Sequence, residues 1–296
     1  MARLIAEKFK QWEAQCNARF CQLKENEEQL NRIFIDIYGL QEELTPQVAD
    51  TAVTVRKANL QREIKSLISY AVGCIFGRYS PDTEGICYDG GIWDASRYQT
   101  VLPVEDNILL ICEGTGFEND LLGRVVNFVE SVYGKETLEE NLQFIACGLG
   151  GQGSAREVLR HYLLTGFYAD HLKTYRKRPI YWLFSSGKKN SFRALCYLHR
   201  YQPDLLDRMH RVYVPSLEAH YRSKTAQLAE AATTATPAQK VLLQKKIHRL
   251  QEQTLELGQF EKKLHSLADQ RISIDLDHGV KVNYAKFRDI LEPIKW

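Results

Sequence analysis

The chain has 296 residues, 44% of them apolar and 26% charged, with 39 Lys and Arg against 37 Asp and Glu. That is enough apolar material for packed cores in two or three structural units. The formal net charge of +2 excludes a globally basic nucleic-acid binder, so any polyanion-binding surface must be local.

The seven cysteines (16, 21, 74, 87, 112, 147 and 196) are odd in number and contain no CxxC pair. They argue against a disulfide framework or a zinc ribbon and fit a reducing compartment. The N-terminus lacks the apolar core of a signal peptide, and no apolar run reaches the length of a membrane span. The expectation is a cytoplasmic protein with no membrane partner.

In chain order, apolar residues at Ile5, Phe9, Trp12, Cys16, Phe20, Leu23, Leu30, Phe34 and Ile37 predict a helix over residues 2–38, ended by Gly39. An extended linker follows through residue 57. Residues 58–80 predict a buried helix, and "NILLIC" (107–112) predicts a strand. Two helices are expected between Asp120 and Cys147 and a third over 154–172. "RPIYWLF", "SSGKKN" and "SFRALCYLHRY" read as strand, turn and strand, a β-hairpin. Residues 213–270 read as an antiparallel coiled-coil hairpin. Its seam includes Leu217, Tyr221, Leu228, Leu243, Ile247, Leu250, Leu257, Leu264 and Leu267. Residues 271–296 read as a closing turn and short helix. The fold class is α+β and helix-rich, divided as 1–57, 58–212, 213–270 and 271–296.

Most candidate chemistry fails on context. "GLGGQG" places Gly148, Gly150 and Gly153 in a GxGxxG pattern, but Leu138, Leu142 and Ile145 before it have helical spacing. A dinucleotide or methyl-donor loop needs a strand there, so an interhelical turn with Ser154 as N-cap is expected. Pro81-Asp82 and Glu261-x-Lys263 are pieces of a nuclease pattern with no shared sheet. The eight histidines form no metal-ligand motif, and no serine sits in a nucleophile elbow. No catalytic, cofactor-binding or metal residue is assigned.

One stretch stands apart. From Lys173 to Arg200 there are eight Lys or Arg and no Asp or Glu, and seven aromatic residues lie between Tyr175 and Tyr201. Lys and Arg that neutralise phosphates release counterions, the main source of nonspecific DNA affinity. Arg176, Lys177, Arg178, Lys188, Lys189 and Arg193 are the candidate phosphate contacts, with Asn190 and Ser191 at the turn as base or sugar contacts. The rings read as core, lining the hairpin.

The stretch "YRKRPIYWLFSSGKKNSFRALCYLHRY" resembles the C-terminal part of PglX adenine-specific DNA methyltransferases of bacterial BREX phage-exclusion systems, and more loosely the type IIG methyltransferases. Collinear segments extend the resemblance over nearly the whole chain. They are "NEEQLNRIFIDIYGLQEELTP", "LISYAVGCIFGRYS", "GGIWD", "DNILLI", "LEENLQFIA", "FYADHLKTYRKRPIYWLF" and "DLDHGVKVNYAKF". The resemblance implies double-stranded DNA as a partner, along with an N-terminal methyltransferase half and other defence-system proteins.

It also implies S-adenosylmethionine, bound by that other half, where the base would be flipped for reaction. The Asn/Asp-Pro-Pro-Tyr/Phe tetrapeptide of such enzymes is not in this sequence. The expectation is therefore a C-terminal DNA-engagement portion that is not catalytic alone, its first helix docking on the catalytic half. The competing reading is a protein-interaction scaffold acting through the helical hairpins.

Overall fold

The computed structural model describes residues 4–111, 117 and 120–296. Among them, ten α-helices accompany one three-stranded antiparallel sheet, the helix-rich α+β class expected. The chain forms two compact units, one from residues 1–68 and 129–158, the other from 69–128 and 159–296.

In the first unit, α1 (Ile5–Tyr38) ends at Gly39, whose φ of 67° is left-handed and suits a residue without Cβ. Residues 2 and 3 of the expected helix lie outside the described residues. The buried Asn141 side chain on α4 (Leu138–Leu149) accepts the Ile5 N–H at 2.8 Å, tying down the helix start. Residues 45–57, expected as an extended linker, are irregular and fold back along α1. There Asp50 bridges Lys24 at 2.8 Å and Lys57 at 3.1 Å.

α2 (Leu60–Ile75) meets α4 at Gly148, where a Cβ would lie 2.6 Å from Ile64 Cγ1. Leu30, Ile33, Phe34, Ile37 and Tyr38 are all exposed on α1, and their spacing of three and four places them on one face.

The second unit is built around β1 (Leu109–Leu110), β2 (Tyr181–Ser185) and β3 (Arg193–Tyr197), in the order β1-β3-β2. The expected hairpin is present, paired from Tyr181↔Tyr197 to Ser185↔Arg193. β1 is shorter than the strand expected over 107–112, and Cys112 lies outside the described residues. Its register, Leu109↔Leu195, would place residue 107 opposite Tyr197. Asn107 instead turns away at φ 61°, and its side-chain amide pairs with the Tyr197 backbone.

The sheet is covered on both faces. Trp182, Phe192 and Cys196 join the base of the helical hairpin and the C-terminal segment in one core. Tyr181 and Tyr197 pack on Phe76, with ring centroids at 5.2 and 6.4 Å. The outer edge of β2 is closed by the C-terminal segment. Ser185 N–H donates to the Ile290 carbonyl at 2.9 Å, and Glu292 N–H donates to the Leu183 carbonyl at 2.8 Å. A paired edge offers no template for aggregation.

α3 (Leu121–Tyr133) and α4 agree with the two helices expected before Cys147. The single helix expected over 154–172 is two, α5 (Ala155–Thr165) and α6 (Phe167–Thr174). The break falls at Gly166, where a Cβ would lie 2.8 Å from the Tyr162 ring. α7 (Leu205–Arg208) continues through a π-helical turn (Met209–Tyr213) into α8 (Val214–Thr234). α9 (Pro237–Ala268) returns after a two-residue loop, with Pro237 at its first position and a reciprocal Thr236–Gln239 capping box. α10 (Val280–Ala285) closes the chain.

The division drawn from sequence differs from the observed one. Residues 213–270 do not stand alone, because Leu257, Phe260, Leu264 and Ala268 of α9 belong to the core that holds the sheet. Nor does 58–212 form one body, since 129–158 group with the N-terminal residues.

One buried group makes a pH prediction. His171 on α6 is stacked on Tyr181 at 4.8 Å, and its Nε2 accepts the Tyr181 N–H at 3.2 Å. Burial, and secondarily the Arg78 guanidinium, push its pKa down from 6.5 to about 3. The unfolded chain therefore binds a proton that the fold refuses. This contribution to stability is complete above pH 6.5 and lost as pH falls toward 3. Urea unfolding at about pH 7 and pH 5 checks it, since each proton linked gives a slope of up to ~1.4 kcal/mol per pH unit. His171→Gln should lose less stability between the two pH values than the parent chain.

Candidate nucleic-acid interface

The eight basic residues of 173–200 do not form one patch. Arg176, Lys177 and Arg178 lie in the loop between α6 and β2, and all three are exposed. Arg176 and Lys177 have φ of 49° and 62°, unusual for residues with side chains. The loop is held by Lys177 N–H donating to the Leu172 carbonyl at 2.7 Å and Arg178 N–H to the Tyr175 carbonyl at 2.9 Å. Lys188 and Lys189 are exposed on the β2–β3 turn. β2 stands between the two groups, and five residues of strand span about 16 Å.

The turn is organised by Glu256 on α9. Its carboxylate accepts from Ser186 Oγ at 2.7 Å, Lys189 N–H at 2.9 Å, Ser191 Oγ at 2.9 Å and Ser191 N–H at 3.2 Å. Burial alone would push this carboxyl up, but those hydrogen bonds outweigh it and hold its pKa below the usual value. One turn of α9 away, Glu252 meets Lys189 Nζ at 2.7 Å. That hydrogen bond is the main reason its pKa is also lowered.

This arrangement draws three of the expected contact residues into hydrogen bonds of the fold itself. Ser191 is 1% exposed and its hydroxyl is engaged by Glu256 and Ser186, so it is not placed to reach a base or sugar. Asn190 Oδ1 accepts from Arg193 Nη1 at 2.8 Å. The Arg193 side chain is only 10% exposed and lies 3.6 Å from Glu292, so Arg193 is a structural cation. Lys189 remains exposed, though its charge is shared with Glu252. Arg176, Lys177, Arg178 and Lys188 remain as exposed cations.

Arg200, at the end of the stretch, also serves the fold. It donates to the Phe76 and Val104 carbonyls at 3.1 and 2.7 Å and lies over the Trp93 ring at 4.5 Å.

The other sequence candidates have structural uses. Asp82 accepts from Thr100, Gln99 and Ser80, led by the Thr100 hydroxyl, and these bonds lower its pKa to about 2. It organises a loop. Glu261 lies on α9 beside His210 at 3.5 Å. "GLGGQG" is an interhelical turn. Gly150 caps α4 with φ 77°, and Ser154 Oγ and N–H both meet the Glu157 carboxylate at 2.8 Å.

The space beside Gly148 is filled by Ile64 and that beside Gly151 by Val158. Among the described residues, no three His, Cys, Asp or Glu side chains gather to hold a metal, and no helix is long and apolar enough to cross a membrane.

No protein-family model matches the chain. Over 295 residues it is 45% identical to the adenine-specific methyltransferase PglX of Lacticaseibacillus casei (strain Zhang), covering 97% of this chain and 24% of that protein. Over 304 residues it is 39% identical to the adenine-specific methyltransferase BrxX of Escherichia coli O9:H4 (strain HS), covering 93% of this chain and 25% of that protein. The chain thus spans about a quarter of the length of the curated relatives it matches. The resemblance expected from the collinear segments holds across almost the whole chain and is consistent with the C-terminal portion of a PglX-type protein.

Proposed function

We propose that this chain is the DNA-engaging portion of an adenine-specific DNA methyltransferase of the BREX phage-defence type. The observation that carries this reading is the 45% identity to an adenine-specific methyltransferase, PglX, across 97% of the chain. Its surface is compatible with the role. Arg176, Lys177, Arg178, Lys188 and Lys189 are exposed at the two ends of one rigid, doubly covered hairpin. Cations on loops anchored by a packed hairpin spare the backbone's share of the ordering cost on meeting phosphate.

S-adenosylmethionine binding and methyl transfer belong, on this reading, to the remaining three-quarters or so of the relatives' length. The exposed α1 face of Leu30, Ile33, Phe34, Ile37 and Tyr38 would dock on that remainder, because five apolar side chains on one helix face call for cover. Other defence proteins would assemble on the same whole.

The hairpin's part is tested by titrating duplex DNA at several salt concentrations with the parent chain and a variant carrying Arg176→Gly, Lys177→Gly, Arg178→Gln and Lys188→Gln. Glycine suits the two left-handed positions, so the variant should fold. Each lost phosphate contact flattens the dependence of log K on log salt by about 0.9, and a flattening of about 2 or more is expected. Equal slopes would remove these residues from the interface.

A further inference from the structure

The helical hairpin changes character halfway along. Tyr221 on α8 and Gln253 on α9 are the last buried residues toward its tip, and no residue from 222 to 252 is buried. The far half is a two-helix arm in solvent, held by a thin seam of half-buried Thr225, Leu228, Leu243, Ile247 and Leu250. Between Arg222 and Gln251 it carries Arg222, Lys224, Lys240, Lys245, Lys246 and Arg249 against Glu230 alone. A six-to-one ratio in a chain that holds 39 basic and 37 acidic residues is a segregated charge, and its sign fits a polyanion.

The arm is also aligned with the sheet turn. Glu256 and Glu252 on α9 both reach the turn, through Lys189 N–H at 2.9 Å and Lys189 Nζ at 2.7 Å. Stepping back along α9 by threes and fours from 256 leads through 252 to Arg249 and Lys245, which share that face of the helix. The two glutamates are engaged by the turn. Lys188 on the turn and Arg249 and Lys245 on the arm therefore follow one another along one side of the molecule.

We propose that residues 222–251 form a phosphate-binding arm that continues the surface begun at Lys188 and grips the backbone of duplex DNA. This rests on the DNA reading above. The class of contact follows from dimensions. Thirteen residues of α8 beyond Tyr221 span about 20 Å. Two packed helices are about 20 Å wide, broader than the major groove of about 12 Å. The paired helices cannot enter the groove together, so the arm lies against the phosphates and adds affinity without sequence preference.

The test uses the full chain and a variant with Arg222, Lys224, Lys240, Lys245 and Lys246 all changed to Gln. These are exposed helical positions and Gln is a good helix former, so unchanged circular dichroism is expected. Binding to two duplexes of the same length and scrambled sequence is measured against salt. The variant should flatten the slope of log K on log salt by about 2 units or more and weaken both duplexes equally. If the parent chain binds duplex with a steep slope and the variant matches it, the arm is not the grip, while the DNA reading stands. If the variant weakens one duplex only, with its slope intact, the arm reads bases and the backbone assignment is wrong. If the parent chain binds neither duplex, the DNA reading and the arm fall together.

Discussion

Replacing Asn107 by Leu should destabilise the second unit by about 3–5 kcal/mol, a large share of the ~5–15 kcal/mol that holds an ordinary domain together. Asn107 is 3% exposed. Its Oδ1 accepts the Tyr197 N–H at 3.0 Å and its Nδ2 donates to the Tyr197 carbonyl at 2.9 Å. The amide thus stands in for the strand backbone that the β1–β3 register would place there. Leucine would leave both backbone groups of Tyr197 buried without partners, at about 1–3 kcal/mol each. It would also adopt the left-handed φ of 61° less readily than Asn. Urea unfolding followed by near-ultraviolet circular dichroism of the sheet aromatics reads the loss. A midpoint within error of the parent chain would mean that Asn107 does not complete the sheet.

The second large effect belongs to Glu256. Glu256→Ala removes the acceptor for Ser186 Oγ, Lys189 N–H, Ser191 Oγ and Ser191 N–H. Ser191 is buried, so its groups cannot all turn to water. Hydrogen bonds to a charged group contribute about 1.5–3 kcal/mol each when lost singly. Because the four share one carboxylate and do not add, about 2–4 kcal/mol is expected. The same lesion frees the β2–β3 turn from α9 and should weaken DNA binding through Lys188 and Lys189 as well. A variant as stable as the parent chain would show that the turn holds itself.

Helix positions were legible in the sequence because their signals are local. The spacing on α1 with Gly39 at its end and the glycine turn after α4 are each written within a few residues. The β-hairpin was legible for the same reason. Its burial on both faces was less so, although "IYWLF" is a continuous apolar run, the pattern of a strand covered on two sides.

The density of charge in 173–200 does not reveal how the fold divides it. Eight cations in one stretch are divided by β2, and Arg193 and Arg200 are drawn into the fold by Glu292, Asn190 and distant carbonyls. Sequence position does not announce such partners. The arm's charge excess was present in the sequence too, but reading those helices for their seam leaves the outward face uncounted. Asn107 and Glu256 carry no local signal, because their partners lie 90 and about 65 residues away.

The most direct measurement is the affinity of the full chain for a duplex of unrelated sequence as salt is raised from about 50 to 200 mM. A portion that holds DNA by phosphates at hairpin and arm should bind at the low end and lose affinity steeply, with log K falling on log salt with a slope of about −4 or steeper. Absence of binding at about 50 mM salt, by a chain whose circular dichroism shows it folded, would contradict the account.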